Sequence, residues 1–205
     1  MTYAQTLGLF WLLLVGIIAV PGLDMLLVLT HSLSRGLRAG FAAVAGIMTA
    51  GAVHTAWGAV GVALLLTFPP VLVPVLLLAG SLYLAWIGVT LLRSLITVDT
   101  VGPARGSPFR QGALTAILNP KAYVFVLSVY PQVLRAEFGP LLPQALVAGA
   151  MTAATQPAIY GAIALAAGRV RLWLLSSPRA TMLTGRVAGG IFLLFAALAL
   201  YEALA

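Results

Sequence analysis

Apolar residues run along this chain in stretches far longer than a soluble helix needs, and polar residues collect in the gaps. A membrane-spanning helix takes about 20 mostly apolar residues. Six stretches qualify, at about 5–30, 40–67, 71–93, 110–134, 142–167 and 184–204. Phe68-Pro69-Pro70 and Glu137-Phe138-Gly139-Pro140 read as tight turns between them. The segment ITVDTVGPARGSP (96–108) is rich in Gly, Pro, Ser and Thr and halves the chain. The pattern predicts an all-α polytopic membrane protein. It has a first three-helix repeat at 1–95, a cytoplasmic linker at 96–108 and a second three-helix repeat at 109–205.

Internal similarity is why the halves are called repeats. GIMTAGAVHTAWGA (46–59) aligns without gaps on GAMTAATQPAIYGA (149–162), with Trp57 opposite Tyr160. AGSLYLAW (79–86) answers AGGIFLLF (188–195), and VPGLD (20–24) answers LNPKA (118–122), both apolar runs interrupted at proline. Two copies of a three-span unit must enter the membrane from opposite sides. That is the inverted-repeat design of many secondary transporters, with broken helices meeting near the midplane. Here the first and fourth helices are expected to be broken.

Composition agrees. The 205 residues are 62% hydrophobic and only 7% charged, with a mean hydropathy of +1.10; soluble domains carry about 25% charged residues. The formal charge of +7 sets topology and gives no nucleic-acid stripe. Arg35 and Arg38 lie in the first loop, Arg93, Arg105 and Arg110 in the third, and Arg169, Arg171, Arg179 and Arg186 in the fifth. The second loop has no Lys or Arg and the fourth only Arg135. Odd loops are then cytoplasmic and both termini outside. The amino end, MTYAQTLGLFWLLL, lacks the charged region of a secretory signal and is expected to be the first span. There is no cysteine, which excludes thiol redox chemistry and thiolate metal sites.

The chemistry sits at the breaks. Pro21 removes a backbone donor, and Gly22 lets the chain bend without a side-chain clash. Backbone freed at membrane depth is tolerated only inside protein or beside a wet cavity. Asp24 follows, and a charge at the bilayer centre costs about 2.5–3.5 kcal/mol on insertion scales, so it faces inward and finds a partner. In the second half, Asn119 reads as an N-cap, Pro120 as the first helical residue and Lys121, the only lysine, as a buried cation. A carboxylate from one half and an ammonium from the other suit a zwitterion. Asp24 would meet its ammonium, and Lys121 with the positive helix end at Asn119 its carboxylate. The other reading is that Asp24 and Lys121 pair and lock the halves together.

Further polar residues lie inside spans. His54 is a proton relay or a histidine satisfied by a backbone carbonyl. Gln156, before Pro157, lines the cavity or mends a backbone bond freed by the proline. Tyr123, Ser128 and Tyr130 follow the second break at helical spacing; Tyr123 is taken as a substrate contact, the others as packing. His31 is expected to be solvated at the cytoplasmic end of the first span. Trp11, Trp57, Trp86 and Trp173 are read as interface anchors or packing.

These motifs resemble the LysE/RhtB family of bacterial amino-acid exporters. The family's Pro-Gly-Pro, acid, Ser-x-Gly-x-x-x-Gly pattern appears as PGLDMLLVLTHSLSRGLRAG, with Leu23 in place of the second proline. Its Gly-x-x-x-Asn-x-x-Asn-Pro-Lys segment ending in Pro-Gln appears as FRQGALTAILNPKAYVFVLSVYPQV, with Ala116 in place of the first asparagine. AGSLYLAWIGVTLLR resembles the family's third span. The resemblance implies proton-driven export of an amino acid or derivative across the bacterial cytoplasmic (inner) membrane, with Asp24 and His54 in proton coupling. Asp24 is the only acid deep in a span, which points to a neutral amino acid. The expected partners are that substrate, protons and the lipid bilayer, without nucleic acid and with pairing to a second copy left open. No cofactor, metal or catalytic residue is expected. The alternative is a metal or other small-ion carrier of the same architecture, poorly supplied by two histidines and no cysteine.

Overall fold

A computed structural model describes residues 1–65, 67, 78, 81, 82, 85, 86, 89, 92, 93, 106–169 and 178–204. Among them are the helices α1 (Tyr3–Ala19), α2 (Leu23–Arg35), α3 (Leu37–Leu65), α4 (Pro108–Ile117), α5 (Pro120–Val133), α6 (Leu141–Leu165) and α7 (Pro178–Leu204). The turn expected at Glu137–Pro140 is a 3-10 turn, Ala136–Phe138, closed by Gly139 at φ 102°. The expected turn at 68–70, most of the span at 71–93, the linker up to residue 105 and Trp173 lie outside the described residues.

Local chemistry explains where the helices begin. Thr2 and Gln5 form a reciprocal capping box at the start of α1. Ser107 caps α4, with Pro108 in its first turn. Among the described residues, α3 alone, and the α1–α2 and α4–α5 pairs each taken as one span, are long and apolar enough to cross a membrane. The two pairs are bent by 54° and 55°. Both breaks therefore fall where proline interrupts an apolar run, and Leu23 in place of a second proline does not prevent the first.

Small residues let the helices approach closely. A methyl group on Gly46 would collide with the backbone carbonyl of Phe109, and one on Gly112 with that of Ala43. Helices α3 and α4 thus touch backbone to backbone and run antiparallel. α3 and α6 are antiparallel as well: methyls on Gly161, Gly40 and Gly149 would meet Phe41, Ala164 and Thr55 respectively. The apolar core joins α1 to α5, where Phe10 packs on Phe125 and meets Tyr130 edge-on, with ring centroids 5.9 Å apart for the latter pair. Trp11, Trp57 and Trp86 are exposed, on the outer surface.

His31 corrects an expectation. It is not solvated but 0% exposed, and its Nε2 donates to Gln111 Oε1 at 2.8 Å. The reason is packing: α2 lies against α3, α4 and α6, so a residue near the end of a span is still inside the bundle. Beyond it, Arg35 donates to the Gly106 carbonyl.

Candidate functional site

The two breaks meet. At the first, Val20 leaves α1 in extended backbone and its carbonyl accepts a hydrogen bond from Lys121 Nζ at 3.1 Å. Gly22 then starts α2 at φ −165°, with no side-chain cap, and Asp24 stands in the first turn. That φ is ordinary extended backbone, and a methyl at Gly22 would lie 3.8 Å from Lys121 Nζ. The bend is therefore set by Pro21 and does not need the conformational freedom of glycine.

The second break caps itself. Asn119 Oδ1 accepts from the Lys121 backbone N–H at 3.1 Å, which satisfies an orphan donor at the start of α5. The other end of the same amide reaches across: Asn119 Nδ2 donates to Asp24 Oδ2 at 3.0 Å. Tyr160 of α6 donates to that oxygen from 3.5 Å. Asp24 and Lys121 make no direct ion pair; each is held by neutral groups.

Around them lies a cavity of about 70 Å³, lined by the Asn119 cap and by residues of α1, α2, α3, α5 and α6 that include Asp24, Gly51, His54, Lys121, Gln156 and Tyr160. A single water needs about 10–15 Å³ measured this way, so the space suits a few waters or the polar head of a small molecule. Three of its lining residues carry a buried acceptor with no described partner: Asp24 Oδ1, His54 Nδ1 and Gln156 Oε1. His54 Nε2 faces the Ala116 carbonyl at 3.1 Å. A carbonyl only accepts, so Nε2 holds the proton in the neutral ring and Nδ1 is a lone pair. The cavity thus presents acceptors, with the Lys121 ammonium as its one cation among the described lining residues. A ligand rich in N–H or O–H donors and carrying one negative group matches this inventory. Among the described residues no three His, Cys, Asp or Glu side chains cluster to hold a metal.

Of the residues picked from sequence, Asp24, His54, Asn119, Lys121 and Gln156 line this cavity. Gly22 borders it through Lys121. Pro21 is buried, and Pro120 opens α5. Tyr123 is 43% exposed and is not among the lining residues; its ring packs edge-on against His54, 4.7 Å between centroids. Ser128 is buried, whereas Tyr130 reaches the cavity and shares a 3.0 Å hydrogen bond with Thr55. Sequence reasoning missed Gly51, Thr55, Thr152 and Tyr160 as lining residues. A signal existed for two of them: Thr152, Gln156 and Tyr160 recur every four residues and share a helix face.

Comparison with known proteins decides the family. The model for the LysE type translocator matches residues 15–203. The chain belongs to the LysE-type translocator family. It is a membrane protein of that family. A homoserine/homoserine lactone efflux protein of Salmonella typhi is 27% identical over 182 residues, 87% of either chain. A leucine efflux protein of Salmonella choleraesuis is 33% identical over 132 residues, 60% of this chain and 62% of its own length. No solved structure matches.

Proposed function

We propose that the protein exports a neutral amino acid or a close derivative from the cytoplasm across the bacterial cytoplasmic membrane. One observation carries the reading: Asp24 and Lys121 converge on one cavity without a direct ion pair, and Asp24 keeps a buried oxygen with no described partner. A zwitterion supplies what both lack. Its ammonium goes to Asp24, and its carboxylate to Lys121 beside the uncapped start of α2. The relatives' printed activities agree in kind, since homoserine and leucine are both neutral zwitterions.

Transport proceeds by alternating access between two inverted three-helix repeats, with six spans and both termini outside. The matched bends at equivalent prolines and the antiparallel packing of α3 on α6 support this architecture. Coupling is to protons. Asp24 exchanges a proton for the substrate ammonium, and His54 relays it.

Efflux from cells preloaded with radiolabelled amino acid tests the proposal. Asp24→Asn keeps an acceptor for Asn119 but removes the charge. Losing one partner of a buried charged pair costs about 2–5 kcal/mol, so export should fall at least about 30-fold while membrane insertion persists. Unchanged efflux would remove Asp24 from the site. A protonophore should stop release against a gradient, and insensitivity would make the protein a facilitator.

A further inference from the structure

We propose that the contact between Gly51 and Gln156 sets the bulk of side chain the cavity admits. This inference rests on reading the cavity as an amino-acid site. On α6, Thr152, Gln156 and Tyr160 share one face, and four residues of helix advance about 6 Å. The Tyr160 hydroxyl marks the level of Asp24. Gln156 lies one turn nearer the start of α6 than Tyr160, and both line the cavity.

Opposite Gln156, α3 supplies Gly51. A methyl there would fall 2.5 Å from Gln156 Oε1 and 2.7 Å from its Nε2, closer than atoms approach. Glycine inside a helix costs about 1 kcal/mol relative to alanine, and the residue has no positive φ to require it. Its use is spatial: the missing side chain lets the Gln156 amide lie against α3, along the cavity wall. Both residues line the cavity, and Gln156 Oε1 has no described partner. The amide is therefore positioned by packing on Gly51.

The amide is the far end of a flexible side chain, so Gly51→Ala is compatible with folding. The new methyl and the displaced amide together take up room in a cavity of about 70 Å³. A branched substrate suffers before a slender one of the same length.

The test uses the purified protein in proteoliposomes with radiolabelled homoserine and leucine. Gly51→Ala should lower leucine transport relative to homoserine by at least about tenfold, the scale of a methylene-sized mismatch in a pocket. Adding Gln156→Ala removes the crowded amide and should restore leucine. A ratio that stays constant, moves toward leucine, or is not rescued by the double variant overturns the inference. Wild-type protein that moves neither amino acid sinks the amino-acid reading itself, and Asp24→Asn in the same vesicles separates the two failures.

Discussion

The two broken helices bend by nearly the same angle, 54° and 55°, yet are finished in opposite ways. The break between α1 and α2 is open: no side chain caps α2, and the Val20 carbonyl is taken by a lysine from the other half. The break between α4 and α5 closes on itself through Asn119. Bending needs only proline in an apolar run. What each break does depends on which backbone groups remain for others. The open terminus of α2 keeps its positive end, with Lys121 beside it and Asp24 in its first turn. The capped terminus of α5 serves as a rigid base from which Asn119 holds Asp24. Each break presents one charge, and the capped one also positions Asp24 through Asn119.

The largest effect that would break this division comes from Lys121. Lys121→Met removes the cation and the donor to Val20, and export of an amino acid with a free carboxylate should drop at least about 30-fold. Lys121→Arg keeps the charge and should retain a measurable share. The sharper arm compares two test compounds. Homoserine lactone keeps the ammonium but has no free carboxylate, so Lys121→Met should harm its efflux less than that of homoserine. Equal loss for both would make Lys121 a brace for the first break instead of a carboxylate contact.

A smaller effect separates the two jobs of Asn119. Asn119→Ala loses cap and bridge together, and the cap alone is worth about 1 kcal/mol. Asn119→Ser keeps a cap acceptor but is too short to reach Asp24. Thermal unfolding in detergent should therefore show the serine variant close to wild type and the alanine variant lowered, while efflux is impaired in both. If the serine variant unfolds as early as the alanine variant, the side chain's worth lies in its hold on Asp24 and the self-capping contrast is wrong.

The features that could be read from sequence are those that carry their own cost. A proline, a carboxylate and a lysine inside apolar runs must each be accommodated, so Pro21, Asp24 and Asn119-Pro120-Lys121 announce both breaks and much of the cavity. Gly51 announces nothing, because its value lies in an amide brought from α6 by tertiary packing. His31 was misplaced for a related reason: distance along a span gives depth in the bilayer, whereas exposure depends on the neighbouring helices. The ungapped repeat alignment has the same weakness. It pairs Trp57 with Tyr160, yet Trp57 is 66% exposed and Tyr160 only 4%. Similarity of sequence there does not carry over to the direction a side chain faces.

Tyr160 supplies the finest test of the comparison, because it touches Asp24 from outside both breaks. Its hydroxyl is 3.5 Å from Asp24 Oδ2, against 3.0 Å for Asn119 Nδ2 on the same oxygen, and hydrogen bonds weaken steeply as they lengthen. Tyr160→Phe keeps the ring in place and leaves Asp24 with its nearer donor. Efflux should fall by no more than about threefold, the low end of the roughly 0.5–1.5 kcal/mol of a typical hydrogen bond, and Asn119→Ser should cost more. A larger loss in Tyr160→Phe than in Asn119→Ser would transfer the positioning of Asp24 from the capped break to α6. The carboxylate would then be held by the helix that also bears Gln156, and the second break would keep only its own cap.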